Sequence, residues 1–156
     1  MFLGMINNEK DRFMDASDFV GTYKGKGHEQ IDKDGRVTHL RDPQSERPAR
    51  IVYTKEGLVI VVSTPPDRKP LAAKHINAAG DAELTDAARG VVAYAGHYEV
   101  KGDKVYHHID VSFFPNWVGS ANVRNFKFDG KLLILTTQPD EEGTVERIYW
   151  ERMEKA

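Results

Sequence analysis

Short runs in which apolar and polar residues alternate make up most of the chain after Gly21. Alternation with a period of two is typical of β-strands that bury one face, and pairs of turn residues separate the runs. Four such pairs, Asp34-Gly35, Glu56-Gly57, Gly102-Asp103 and Asp129-Gly130, can supply the positive φ of a tight hairpin turn. The pattern predicts an all-β barrel or sandwich built as a meander. The predicted strands span residues 21–31, 35–41, 50–54, 58–63, 95–101, 104–113, 121–128, 131–137 and 144–153.

One segment interrupts the alternation. Residues 81–95 are rich in alanine and place Leu84, Ala88, Val91 and Ala95 at helical spacing, which predicts one short inserted helix. The aspartate at its start can cap it, and the prolines just before it predict an extended loop. We expect this insertion to lie over one end of the barrel.

The turn at Gly102-Asp103 predicts the register of the hairpin around it, because a two-residue loop fixes which residues pair. Tyr98 then lies opposite His107, and His97 lies opposite His108. The apolar face is expected to point inward, so His107 lies inside the barrel and His108 outside. The predicted inward face is Tyr98, Val100, Val105, His107, Ile109 and Val111; the outer face is His97, Glu99, Tyr106, His108 and Asp110.

The turn at Asp129-Gly130 predicts a second hairpin, in which Phe126 pairs with Leu133 and Arg124 with Leu135. Their face is apolar apart from the arginine and is expected to point inward, although the opposite assignment stays open. An inward guanidinium keeps its charge, so Arg124 needs a carboxylate, carbonyls, water or an anionic ligand.

The inward polar groups are the candidate chemical groups. An imidazole and a phenol facing each other, as predicted for His107 and Tyr98, can orient a carbonyl or move a proton. The alternative is a buried histidine that a hydroxyl merely satisfies. Arg124 can bind a planar anion or, alternatively, stack on an aromatic ring as a structural residue.

An aromatic loop follows one of the predicted strands. Phe113, Phe114, Asn116 and Trp117 surround Pro115, which predicts a rigid loop either at the ligand-binding mouth or plugging the closed end.

Composition narrows the classes of partner. The 156 residues suit one core, and we expect a loose leader over residues 1–16 and one domain over residues 17–156. The net charge of −2 gives no general attraction to nucleic acid or anionic membranes. No apolar run is long enough to span a membrane, and the start of the chain lacks signal-peptide features, which predicts a cytoplasmic protein. The absence of cysteine excludes disulfides and thiolate nucleophiles.

The six histidines do not predict a metal site. His107 and His108 point to opposite faces of one strand and cannot share an ion. His97, His108 and Asp110 can lie close together on the outer face, but we interpret them as a solvated patch and expect no metal.

Several segments carry a resemblance to a known family. They are FVGTYK at 19–24, IVYTKEGLVIVV at 51–62, AYAGHYEVKGDKVYHHIDVSFFPNWVG at 93–119, VRNFKFDGKLLILTT at 123–137 and IYWERM at 148–153. With them the chain resembles the small bacterial and fungal lipocalin-like domain family over residues 19–153. Gly21-Thr22-Tyr23 departs from the Gly-x-Trp that opens most such barrels. The resemblance implies an antiparallel up-and-down β-barrel of about eight to nine strands, with a closed lower end and an interior cavity. It also implies that Arg152 packs over Tyr23.

Two functions fit these expectations. The first is a small-molecule binding protein that encloses an apolar or amphipathic organic ligand. The second is a cofactor-free isomerase, cyclase or dehydratase, with His107, Tyr98 and Arg124 as catalytic residues. Neither requires a cofactor, and apolar residues on the outer face, such as Leu132 and Ile134, are suited to helix packing or a homodimer contact. The predicted ligand-binding residues are Tyr23, Tyr98, His107, Phe114, Asn116, Trp117, Arg124 and Phe126.

Overall fold

The alternating runs fold as nine antiparallel strands in a computed structural model that describes residues 13–40 and 48–154. Two strands match their predicted bounds, and the others differ from prediction by one to three residues at an end. The strands are β1 (Gly21–Ile31), β2 (Val37–Leu40), β3 (Ala49–Tyr53), β4 (Leu58–Ser63), β5 (Val92–Lys101), β6 (Lys104–Ser112), β7 (Ala121–Asp129), β8 (Leu132–Thr137) and β9 (Val145–Arg152).

The sheet closes on itself. Each of β3 to β9 pairs with its neighbour in sequence, and β1 pairs with both β3 and β9. A bulge between Gly25 and Gly27 interrupts the β1–β9 ladder, where buried glycines let the strand bend. Among the described strands, β2 pairs with the far end of β1 alone. The result is an eight-stranded antiparallel barrel with one additional strand, which confirms the predicted fold class.

Two predictions fall partly outside the described residues. The described residues do not include residues 1–12 of the predicted leader. Nor do they include residue 41 of the strand predicted at 35–41. That strand begins at Val37, because Gly35 has a φ of 80° and belongs to the preceding turn.

The predicted helix over residues 81–95 is too long. Helix α2 (Asp81–Ala88) ends before Gly90, whose φ of 76° turns the chain. Residues 92–95 instead pair with β4 as the start of β5. No side-chain hydrogen bond caps α2, so the predicted cap by Asp81 is wrong as well.

The register predicted for the β5–β6 hairpin is confirmed, including the pairs Tyr98–His107 and His97–His108. One residue of the predicted inward face is misplaced: Val111 is 65% exposed. A bulge at Gly96 shifts the ladder there, so that the end of β6 reverses its faces. Alternation alone cannot reveal an inserted residue.

The register predicted for the β7–β8 hairpin is wrong by two residues. Phe126 pairs with Leu135 and Arg124 with Thr137, because the loop is Gly130-Lys131 rather than Asp129-Gly130. A slip of two residues preserves the faces. The predicted inward face, including Arg124, is therefore retained.

One end of the barrel is closed by a short helical turn, α1 (Ala16–Phe19), which Asp15 caps. Phe19 is fully buried, with its ring 5.1 Å from the ring of Tyr53 and 4.9 Å from that of Phe126. Arg152 holds this turn in place. Its guanidinium donates to the carbonyls of Val20 and Asp18 and lies 4.7 Å from the centre of the Tyr23 ring, as the resemblance implied.

Candidate functional site

The barrel encloses a cavity of about 320 Å³. It lies towards the end where β4 ends and β5 begins, away from the aromatic layer around Phe19. The walls are mostly apolar, and the volume is at the small end of the range for ligand pockets. The lining residues are His28, Ile51, Val61, Ser63, Val92, Tyr94, His107, Trp117, Asn122, Arg124, Leu135, Glu146, Ile148 and Trp150.

His107 is buried in the cavity wall between two tyrosines. Its Nε2 lies 2.8 Å from the Tyr53 hydroxyl, and its Nδ1 lies 2.8 Å from the Tyr94 hydroxyl. The side chain is 1% exposed. Three strands, β3, β5 and β6, therefore supply one continuous chain of hydrogen bonds.

The position of Tyr53 favours one arrangement of protons in this chain. Among the described residues, the Tyr53 hydroxyl, which is buried in the core, has its hydrogen bond with His107 alone. If Tyr53 donates to Nε2, its only hydrogen is satisfied, and the ring donates from Nδ1 to Tyr94. The opposite tautomer leaves a buried Tyr53 donor unpaired, at a cost of about 1–3 kcal/mol. The favoured arrangement leaves the Tyr94 O–H unused by His107 and beside the amide of Asn122, which also lines the cavity.

All three members of this chain are neutral. Burial, then the electrostatic effects of Arg124 and His108, lower the pKa of His107 to about 3. Burial raises the pKa of Tyr53 far above its usual value, and it raises that of Tyr94 despite the opposing effect of Arg124. His107 is therefore an uncharged imidazole at neutral pH.

Arg124 is the cationic side chain of the cavity wall. It is half-buried, and its guanidinium donates to the neighbouring Val123 carbonyl at 2.9 Å. Among the described residues, no carboxylate oxygen lies within 4.0 Å of it, although Glu146 also lines the cavity. The guanidinium thus has a backbone carbonyl as partner but, among the described residues, no carboxylate.

A further donor belongs to Trp150. Its side chain is 4% exposed, and its indole N–H has no acceptor within hydrogen-bond distance among the described residues. Buried N–H groups are normally paired, so this one can donate to a molecule in the cavity.

Tyr98 and His107 do not contact each other through their polar atoms, although they face each other in the ladder. The Tyr98 hydroxyl donates to the carbonyls of Ala16 and Thr54 at the closed end. The predicted contact between the His107 imidazole and the Tyr98 hydroxyl is therefore not formed, although the two residues pair in the ladder as predicted.

The other predicted ligand-binding residues divide between the two ends. His107, Trp117 and Arg124 line the cavity, whereas Tyr23 and Phe126 belong to the aromatic layer at the closed end. Whether any of these residues binds a ligand stays a prediction.

The predicted aromatic loop borders the cavity through Trp117. It forms a 3-10 turn at Pro115–Trp117, in which the Trp117 ring meets the Tyr94 ring edge to face at 5.9 Å. Phe114 and Asn116 are exposed beside it and do not line the cavity.

The outer histidines form a stack rather than a metal centre. The rings of His97 and His108 lie 4.7 Å apart, and His108 hydrogen-bonds Glu99 at 2.8 Å. Within the described parts of the chain, no group of three or more His, Asp or Glu side chains could hold a metal ion. Nor is any helix there long and apolar enough to cross a membrane.

The side chains of the site that were missed in the sequence include Tyr53, Tyr94 and Trp150. Tyr94 fell inside the predicted helix, although its spacing from Gly96 and Tyr98 has the period of two of a strand. Tyr53 and Trp150 occupy inward positions of predicted strands, where period-two counting could have marked them as candidates.

The comparisons with known proteins agree with this architecture. The sequence profile of the lipocalin-like domain family matches residues 20–153, and the chain belongs to that family. It is also similar to a protein of Aspergillus oryzae named 4'-hydroxy-3'-methoxypropiophenone carrier protein ppsC, with 32% identity over 65 residues. That match covers 36% of this chain and 59% of the length of the relative.

Proposed function

We propose that this protein binds a small, largely apolar organic molecule inside the barrel and acts as its carrier. The observation that carries the proposal is the cavity of about 320 Å³ with apolar walls and a few inward polar groups. This combination is typical of sites that bury a ligand and orient it through a few hydrogen bonds. The name of the Aspergillus oryzae relative, a carrier of a small aromatic ketone, supports the same class of function.

The hydrogen-bond chain favours binding over proton-transfer catalysis. A general base near neutral pH needs a pKa close to the working pH, whereas that of His107 is about 3. Both ring nitrogens are also engaged by tyrosine hydroxyls. His107 is therefore better suited to hold Tyr94 in place than to take a proton from a substrate.

The test is to titrate the neutral fluorescent probe N-phenyl-1-naphthylamine into the parent protein and into a variant in which a larger side chain fills the cavity. Val92 lines the cavity and Val62 lies one position away across the β4–β5 ladder on the exposed outer face. Val92→Trp should weaken probe binding by about tenfold or more, because the new ring occupies the ligand volume. Val62→Trp adds the same ring outside and should leave probe affinity unchanged.

Circular dichroism should show that both variants are folded. Equal probe binding by the parent and by Val92→Trp, or no binding by the parent, would contradict the proposal.

A further inference from the structure

Three donors of the cavity wall have capacity for an acceptor on a ligand. The Tyr94 O–H is not used by His107 in the tautomer that Tyr53 favours, although the Asn122 amide lies beside it. The Trp150 N–H has no acceptor among the described residues. The Arg124 guanidinium has three nitrogens and, within the described parts of the chain, donates to one backbone carbonyl. A guanidinium and a tryptophan N–H can only donate, so they require acceptors from whatever fills the cavity.

The charge of Arg124 acts on the same region as these donors. It influences Tyr94, Tyr53 and His107, so all three members of the hydrogen-bond chain lie within its field. Protonation of His107 would add a second positive charge beside it, and the low pKa of His107 shows that this does not occur at neutral pH. The inner polar region therefore carries one net positive charge.

Glu146, the carboxylate among the residues that line the cavity, does not neutralise the charge of Arg124. Glu146 is exposed near the end of β9, and no ion pair joins it to Arg124 within the described residues. A half-buried positive charge with unused donors is suited to bind an anionic oxygen, because such an oxygen accepts several hydrogen bonds at once.

We propose that the cavity selects ligands carrying an anionic oxygen, either a carboxylate or an ionised phenol, which Arg124 and Tyr94 bind together. Trp150 supplies a further donor for a second acceptor on the same ligand. This inference rests on the proposed binding function and names the ligand class that it serves. The body of the ligand lies against the apolar walls.

The experiment compares matched charged and neutral competitors that displace N-phenyl-1-naphthylamine from the unchanged protein. The carboxylate arm uses 2-naphthoate against 2-naphthamide, and the phenol arm uses 4'-hydroxy-3'-methoxypropiophenone against its methyl ether. We expect each anion to bind about tenfold more tightly than its neutral partner, since a charge-assisted hydrogen bond contributes that much. The preference for the phenol should grow as the pH is raised through its ionisation.

Two variants test whether the preference for the anionic competitor arises in the cavity. Arg124→Leu should abolish it, while Lys127→Leu, on the exposed face of the same strand, removes an equal charge and should retain it. The NMR resonance of the Trp150 indole N–H, assigned by comparison with Trp117→Phe, should shift when a ligand binds. This shift tests the role of Trp150 as the third donor.

The outcomes separate this inference from the proposed function. If the neutral probe binds but anions show no advantage, or if Arg124→Leu keeps the advantage, the inference is wrong and the binding function stands. An advantage in one arm only identifies that source of the anionic oxygen. If no competitor and no probe enters the cavity, both proposals fail. Because the competitor comparison uses the parent protein, it holds even if a variant does not fold.

Discussion

His107 shows how a single buried residue can control the chemistry of its surroundings. Each ring nitrogen meets a tyrosine hydroxyl, and the ring is removed from solvent, so the neutral form is fixed. That neutrality leaves Arg124 as the source of positive charge in the cavity wall, and the tautomer that Tyr53 favours leaves the Tyr94 O–H unused by His107. The residue thus links the core to the ligand site without itself needing to react.

The low pKa of His107 predicts a loss of stability in acid. The unfolded chain has a histidine pKa near 6.5, whereas the folded protein has about 3. As the pH falls below about 6.5, the unfolded state binds a proton at His107 that the folded state does not bind. The stability of the folded state that is present above that pH is therefore lost progressively towards pH 3. Between pH 7.5 and pH 4.5 the expected loss from this site is about 2–3 kcal/mol.

Urea unfolding at the two pH values, for the parent and His107→Gln, measures this loss. The variant should show a pH effect smaller by about 2–3 kcal/mol, because its side chain does not titrate. His97→Gln, on the exposed outer face, should behave as the parent does. The same pH dependence in the parent and in His107→Gln would rule out a buried neutral imidazole.

At the scale of elements, the β5–β6 hairpin depends on a bulge at Gly96. A Cβ atom built there would lie 1.7 Å from the His108 carbonyl oxygen, which is backbone and cannot rotate away. The bulge places Gly96 opposite Ile109 and turns Val111 outward. The hairpin therefore tolerates no side chain at this position without a change of register.

Gly96→Ala should destabilise the protein by about 3 kcal/mol or more, since both strands must move apart to remove the overlap. Gly102→Ala, in the turn of the same hairpin, places its methyl group in open space and should cost only about 1–2 kcal/mol from its φ of 60°. Thermal or urea unfolding of the two variants gives the comparison. Equal small losses would mean that the bulge is not rigid.

The hairpins also show what sequence reasoning can reach. Alternation predicted the inward faces of β6 and β7, and with them the buried positions of His107 and Arg124, because the period of two survives a slip of two residues. It could not locate the bulge at Gly96 or choose between the two possible turns around Gly130, since both depend on backbone geometry. The partners of His107 come from β3 and from the start of β5, and long-range contacts of this kind leave no local pattern.

At the scale of the whole molecule, structure and binding are divided along the barrel axis. The closed end holds the aromatic layer around Phe19, and Arg152 ties the α1 turn to it. The other end holds the cavity, the Tyr94 hydroxyl and Arg124. Two half-buried arginines therefore occupy opposite ends with different surroundings, and this difference is testable.

Replacing the two arginines should have opposite consequences for stability. Arg152→Met removes two hydrogen bonds to backbone carbonyls and a cation–π contact, at an expected cost of about 2–4 kcal/mol. Arg124→Leu removes a charge that has no carboxylate partner among the described residues, so the protein should be equally stable or more stable. Urea unfolding of the two variants without ligand measures both effects.

Adding ligand should narrow the difference in stability between the two variants. A ligand that binds only the folded state stabilises it by about 2.7 kcal/mol at a hundredfold excess over its Kd. With 2-naphthoate in such excess, Arg152→Met should regain stability as the parent does, because its cavity is intact. Arg124→Leu, with an affinity about tenfold weaker, should gain only about 1.4 kcal/mol at the same concentration. Losses of similar size in both variants without ligand, together with equal gains on adding it, would mean that Arg124 serves the fold rather than the ligand.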